Sequence, residues 1–297
     1  MVRLALHSFL TLALLFGLMF AVLTAVLFTA GAPLWLALVV AVVCAGFQYL
    51  ISPYIIEWIH KIQWVAPESL DPGIAALIRS VCHERGLREP RFGVIEDGNP
   101  NAFTFGHHPN NARVVITTGL LEVCDSAQRR AIVAHELGHV VHWDFVVMTV
   151  AATVPLILYY VWRFGFRERD RDRRDSGALM LVAGGAFIAW LISQYIVLLL
   201  SRVREYYADA YAAETTRDPG ALATGLVKIA YGLARSRPPA EEHERVAAAG
   251  AGMKPFGIFD PTFGKSMALA TAGAWGLTDD GAQAGRHAVE AMKWDLW

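Results

Sequence analysis

The sequence predicts a mainly α, integral membrane fold, with four transmembrane helices and a small α+β unit. Three observations predict it. Of 297 residues, 55% are apolar or aromatic and only 18% are charged, an excess that water does not accommodate in an ordinary globular chain. The apolar residues are gathered into long uncharged runs. Between the second and third runs the composition turns polar, and short extended pieces alternate with turn residues, as in a small helix-plus-sheet unit.

The first hairpin is expected over residues 1–56. No Asp, Glu, Lys or Arg occurs between Arg3 and Glu57, and the run is broken at Gly31-Ala32-Pro33. Each half, about Phe9 to Ala30 and about Leu34 to Ile55, supplies the roughly 20 apolar residues that cross a hydrocarbon core of about 30 Å. A cleaved leader would show a small-residue site after roughly 7–15 apolar residues. This run passes straight through every such site.

Residues 57–144 read as a soluble unit. Asp71-Pro72 opens a helix by a cap followed by proline, running to Arg85 and stopped by Gly86. Arg91 to Glu96, Asn101 to Gly106 and Arg113 to Thr118 are extended pieces, the first two separated by the turn Asp97-Gly98-Asn99-Pro100. Asp125 with Gln128 three residues on reads as a capping box, and the helix it starts continues to about Trp143.

A second hairpin is expected over residues 145–201. Phe145 to Trp162 is uncharged but short and contains Pro155; Ser176 to Ser201 is long enough to span with tilt. Residues 202–297 are read as a continuation of the soluble unit. A helix is expected over Arg202 to Glu214 and another from Asp218-Pro219 to about Ala234. A linker follows over Ser236 to Ala251, then two short helices after Pro261, the last from Thr278.

Charge excludes some functions and leaves orientation open. With 26 basic and 27 acidic residues the net charge is -1, which offers no bulk attraction for a polyanion and argues against nucleic acid as a partner. Disorder is excluded by the same composition. Cys44, Cys82 and Cys124 form no C-x-x-C pair, so neither a disulfide framework nor a cysteine-based zinc site is expected, and a reducing compartment fits. Arg3, Lys61, Arg129, Arg130, Arg202 and Arg204 on one side stand against six arginines between Arg163 and Asp175 on the other. The positive-inside rule therefore does not decide the orientation.

The string His135-Glu136-Leu137-Gly138-His139 carries the chemistry. Histidines four apart in a helix are about 40° apart around it and about 6 Å apart along it, so both imidazoles can reach one metal ion. The glutamate between them lies where a general base takes a proton from a metal-activated water. Chance would produce this pattern roughly 0.02 times in a chain of this composition, so an accident is a poor explanation. His142 lies on nearly the same face as His135 but about 10 Å further along, too far to share the ion. A third ligand is still needed. Glu205 and Asp209, four apart beyond the fourth run, can divide two tasks: one carboxylate binds metal, while the other accepts the hydrogen bond of a ligating imidazole.

The succession of two apolar spans, a short unit with Asn101-Ala102-Phe103, His135-Glu136-x-x-His139, two further spans and Glu205-x-x-x-Asp209 resembles the HtpX-like membrane zinc metallopeptidases. These are of the gluzincin type and related to the CAAX prenyl-endopeptidases. The resemblance runs from residue 1 to about 215. It implies a zincin-like α+β catalytic domain, with one Zn2+ per chain on His135, His139 and Glu205, Glu136 as the base, and Asp209 supporting a ligand. It also implies that Asn101, Ala102, Phe103 and Thr104 belong to an edge strand on which polypeptide substrates are laid. The implied setting is a bacterial inner membrane, multi-pass, with the catalytic domain facing the cytoplasm and acting on damaged or misfolded membrane proteins.

Two other classes are weighed against it. An intramembrane-cleaving metalloprotease places H-E-x-x-H inside a span with a later L-D-G, whereas Arg129 and Arg130 stand a turn before His135 and no L-D-G occurs. A non-enzymatic membrane metal-binding protein would close the fourth coordination position, and no further His or Cys stands at ligand spacing. One departure from the resemblance is expected to matter. The family's short His-Pro segment with a following arginine is matched here by Asp260-Pro261 and Lys265, and the chain ends in an uncapped helical pattern at Trp297. A truncated or atypical form that binds zinc but cleaves poorly is the expectation from those two features.

Overall fold

The computed structural model describes residues 2–29, 35–167 and 176–235. The expected linker over 236–251, the tail helices and the Asp260-Pro261 segment lie outside the described residues. The chain divides into two compact units, residues 1–55 with 146–205 and residues 56–145 with 206–297.

The first unit is built from helices α1 (Val2–Thr29), α2 (Trp35–His60), α6 (Asp144–Arg167) and α7 (Ser176–Thr216). Each holds a stretch long and apolar enough to cross a membrane: Arg3–Leu27, Val39–His60, Asp144–Arg163 and Met180–Thr216. Their packing is that of a lipid-solvated bundle. Phe9, Phe47, Leu181 and Leu199 are exposed, while Leu15, Met19, Ala41, Ala151, Val154, Ala189 and Leu200 form the interior. Alanines at that interior let helix backbones approach closely, which is how helices associate where lipid removes the hydrophobic drive. Pro155 sits within α6 without ending it. The chain is a multi-pass membrane protein.

The fourth span and the helix expected from Arg202 are one continuous helix of 41 residues. Arg202 marks where the residues stop being lipid-compatible, and nothing in the stretch Arg202-Val203-Arg204-Glu205 breaks a helix.

The second unit is a four-stranded sheet in the order β1-β2-β4-β3, from β1 (Gln63–Trp64), β2 (Arg91–Ile95), β3 (Ala102–Gly106) and β4 (Ala112–Thr117). β2 and β4 are parallel, and β1 and β3 flank them antiparallel. Helices α3 (Pro72–Arg85), α4 (Thr118–Val123), α5 (Ser126–Val141) and α8 (Pro219–Arg235) complete it. β1 and α4 are too short to leave a periodic signal and were not expected. The caps of α3 follow from the sequence: the Asp71 carboxylate accepts from the Gly73 amide, and Gly86 takes the left-handed conformation, φ 63°, that ends the helix. Burial pushes the Asp71 carboxyl up, but the Ser126 hydroxyl, the Gly73 and Ile74 amides and Arg130 outweigh it and hold it below its ordinary value.

The capping box of α5 is present in both directions between Asp125 and Gln128. Lys228 of α8 donates to the side-chain Oε1 of Gln128 at 2.8 Å, which ties α8 to the start of α5. On the sheet's far face Phe103, Phe105, Val115, Ile95 and Ile56 form one core. The buried Arg113 pairs with Glu57 and donates to the Asn111 side chain at 2.8 Å, so its charge is matched. All three cysteines are free; burial, then Glu89, pushes the Cys82 thiol up to about 11, leaving it inert near neutral pH.

Candidate metal centre

Helix α5 is the element on which the centre is built. Its face toward the interior is so thoroughly buried that His135 is 2%, Glu136 0% and His139 9% exposed. Ionisable groups stay in such surroundings only when each has a partner. His135 Nδ1 lies 2.8 Å from an Asp209 carboxylate oxygen, and His139 Nδ1 lies 2.7 Å from an Asp144 carboxylate oxygen. The Asp144 carboxylate, in hydrogen-bond geometry with His139 Nδ1, fixes that ring's proton there and turns its Nε2 lone pair inward, and the Asp209 carboxylate stands at ion-pair distance from His135 Nδ1.

The two Nε2 atoms are 3.1 Å apart. With both Nδ1 atoms protonated, these are two lone pairs facing each other, an arrangement that a shared cation makes favourable. Imidazole nitrogens bound to one tetrahedral ion at about 2.05 Å lie about 3.3 Å apart, so the pair has the separation a metal requires. His135, His139 and Glu205 each offer one ligand atom, and these atoms lie within 4.8 Å of one another. Glu205 stands one helical turn before Asp209 on the unbroken α7, so the helix that supports His135 also presents the third donor. Two nitrogens and one carboxylate oxygen, all fixed or flexible at the right atoms, fit a divalent metal.

The close approach of α5 and α7 depends on a small residue inside the motif. A Cβ on Gly138 would meet the Ala208 Cα at 3.1 Å and the Tyr211 ring at 3.3 Å. Ala208 and Ala212 on the facing helix are fully buried. Larger residues at this crossing would move Asp209 away from His135.

Glu136 is positioned by β3. The Thr104 hydroxyl donates to its Oε2 at 2.8 Å. Thr117 N–H donates to the Asn101 carbonyl at 3.0 Å, so residues 101, 103 and 105 form the hydrogen-bonded pairs with β4. Ala102 and Thr104 therefore turn their peptide groups to the outer side of β3, which is the sheet edge among the described strands. The Ala102 amide is met by the Asn101 side chain at 2.9 Å. Of the expected substrate segment, the Ala102 and Phe103 side chains are buried, Thr104 engages the base, and the edge offers backbone.

Sequence reasoning placed Asp144 only as the charge bounding an apolar run. The structure brings it to His139 because α5 ends at His142 and Trp143 takes φ 61°, turning the chain so that the first carboxylate of α6 points back. The legible signal was an acidic residue five positions after a candidate ligand, at the start of a helix whose N-terminus favours negative charge. His142 closes α5 and sits among aromatic rings, 5.8 Å from Tyr211 and 6.1 Å from Tyr207.

A model of peptidase family M48 matches residues 68–251. A protein described as "Protease HtpX homolog" from Methanothermobacter thermautotrophicus is 38% identical over 238 residues, covering 78% of this chain and 87% of that one. Another of that description, from Moorella thermoacetica, is 36% identical over 236 residues, covering 77% and 78%. A crystal structure of S. mikatae Ste24p covers 77% of this chain and 60% of that one at 19% identity, with a TM-score of 0.49.

Proposed function

Because the chain belongs to peptidase family M48 and is a membrane-anchored metallopeptidase, we propose that it is a zinc-dependent endopeptidase. In this reading His135, His139 and Glu205 hold one Zn2+ and Glu136 is the base. The observation that carries the reading is the pair of inward-facing Nε2 atoms, each backed at Nδ1 by a carboxylate, with a buried glutamate between them. Zinc bound there supplies Lewis acidity, which polarises a peptide carbonyl and brings a coordinated water toward neutral acidity.

The chain's own residues do the rest. Asp209 and Asp144 orient the two imidazoles. Thr104 holds the Glu136 carboxylate in one rotamer, and Glu136 takes a proton from the attacking water as its oxygen bonds to the carbonyl carbon. The same carboxyl returns that proton to the departing amine nitrogen as the C–N bond breaks. An extended polypeptide adds to the outer edge of β3 through the backbone of Ala102 to Thr104, which gives affinity with loose side-chain preference. Damaged or misfolded membrane proteins are the proposed substrates, and the catalytic unit is proposed to face the cytoplasm on the inner membrane. Cysteine labelling near Arg171 and near Asp279 in intact cells tests that orientation; access from outside only near Arg171 is expected.

Glu136→Gln tests the chemistry. The expected protein keeps one zinc and loses cleavage, whereas His139→Ala and Glu205→Ala lose both, as metal analysis beside a casein assay would read. A Glu205→Ala protein with full zinc and full activity would overturn the third ligand.

A further inference from the structure

Trp143 occupies a backbone position that favours a different residue. It follows His142, the cap residue of α5, with φ 61°, the left-handed conformation in which glycine ends helices and a bulky side chain is strained. Its side chain is nevertheless 51% exposed, so burial in the protein does not account for a tryptophan here. It stands immediately before the span Asp144–Arg163. Trp58, 82% exposed, lies in the last turn of the span Val39–His60, and Tyr206, 54% exposed, lies four residues after Arg202, where the uncharged run of α7 ends.

By connectivity these are the ends of three spans that lead into or out of the unit carrying the metal centre. Exposed Lys61 and Arg202 accompany them in sequence. Amphipathic aromatic rings next to basic side chains at span ends match the headgroup layer, which takes an apolar ring body and a polar N–H or O–H together and offers phosphates to the cations.

We infer that Trp143, with Trp58 and Tyr206, inserts its ring into the headgroup layer of the bilayer that the adjoining spans cross. Trp143 adjoins Asp144 and is four residues from His139, so the anchor is covalently next to the centre. The consequence is that peptide bonds close to the membrane surface in tethered polypeptides are cleaved in preference to those of soluble chains. This rests on the metallopeptidase reading only for where the substrate is met; lipid contact itself is measured without cleavage.

The experiment uses the full chain in phosphatidylcholine/phosphatidylglycerol vesicles. The emission lost in Trp143→Tyr isolates the Trp143 contribution. Lipid brominated at carbons 6 and 7 is expected to quench it at least twofold more than lipid brominated at carbons 11 and 12, and aqueous iodide is expected to leave it unchanged. Quenching by iodide and not by brominated lipid overturns the inference, whatever the peptidase activity. Trp143→Asn, which tolerates the left-handed backbone, is expected to lower cleavage of a membrane-tethered peptide about fivefold more than it lowers cleavage of casein, and Trp143→Tyr restores the ratio. Equal rates on the tethered peptide for the Asn variant and wild type would also overturn it. If the Asn variant does not fold, the quenching of the wild type and of Trp143→Tyr decides.

Discussion

The two carboxylates behind the histidines offer an internal comparison. Asp144 and Asp209 contact their imidazoles at 2.7 Å and 2.8 Å, so distance does not separate them, but the Asp144 side chain is 4% exposed and in hydrogen-bond geometry with its imidazole, while that of Asp209 is 46% exposed and at ion-pair distance. A charge screened by water contributes less to a neighbouring site than one out of its reach. Substituting Asn at either position keeps an oxygen able to accept the ring N–H and removes the charge. Losing such a supporting group costs about 10–100-fold in metal affinity, about 1.4 to 2.7 kcal/mol. Asp144→Asn is expected at the upper end of that range and Asp209→Asn at the lower. Zinc dissociation constants from chelator competition at pH 7 read the difference directly. The melting temperature of the metal-free protein controls for the loss of a negative charge at the start of α6, which is worth about 0.3–1 kcal/mol. If Asp209→Asn loses as much affinity as Asp144→Asn, burial is not what sets the strength of these contacts and the reasoning fails.

Three further outcomes follow from the geometry. Thr104→Val should lower kcat about tenfold with KM and zinc content unchanged, because a hydrogen bond to a charged group worth about 1.5 kcal/mol is removed from the base alone; steady-state kinetics on a peptide would show it. Gly138→Ala should weaken zinc binding about tenfold although alanine is the better helix former, since α7 must give by a few tenths of an ångström; unchanged affinity would mean the crossing is slack. Asp71→Ala should cost about 1 kcal/mol at pH 7. The folded Asp71 carboxyl titrates below its unfolded value, so its contribution is present above about pH 4 and disappears as pH falls through the folded value; thermal melts of variant and wild type should draw together as the pH is lowered through that range.

What the sequence discloses and what it hides divide along physical lines. The cap and stop of α3, the capping box of α5 and the pairing of His135 with His139 are legible because each depends on chemistry within one turn of helix. The long apolar helices are legible because lipid accepts so few residue types. The unbroken course of α7 was hidden, because the change from apolar to charged at Arg202 reports a change of solvent, while a helix ends only where capping or a breaker ends it. Asp144 was hidden for a different reason: its approach to His139 depends on the positive φ at Trp143, a conformation that no periodicity announces. Thr104 was legible as part of an edge strand, but its grip on Glu136 required knowing that β3 runs alongside α5.

The crossing of α5 and α7 at Gly138 also makes the metal a thermodynamic partner of the fold. The donors come from two helices that approach through glycine and alanine. An ion that binds only the crossed arrangement stabilises it by mass action, about 4 kcal/mol when its free concentration is a thousand times its dissociation constant. A chelator would therefore do more than stop hydrolysis. It would loosen the joint between the helix that carries the base and the helix that rises from the membrane, and proteolytic nicking near Ala208 after chelation would report that loosening.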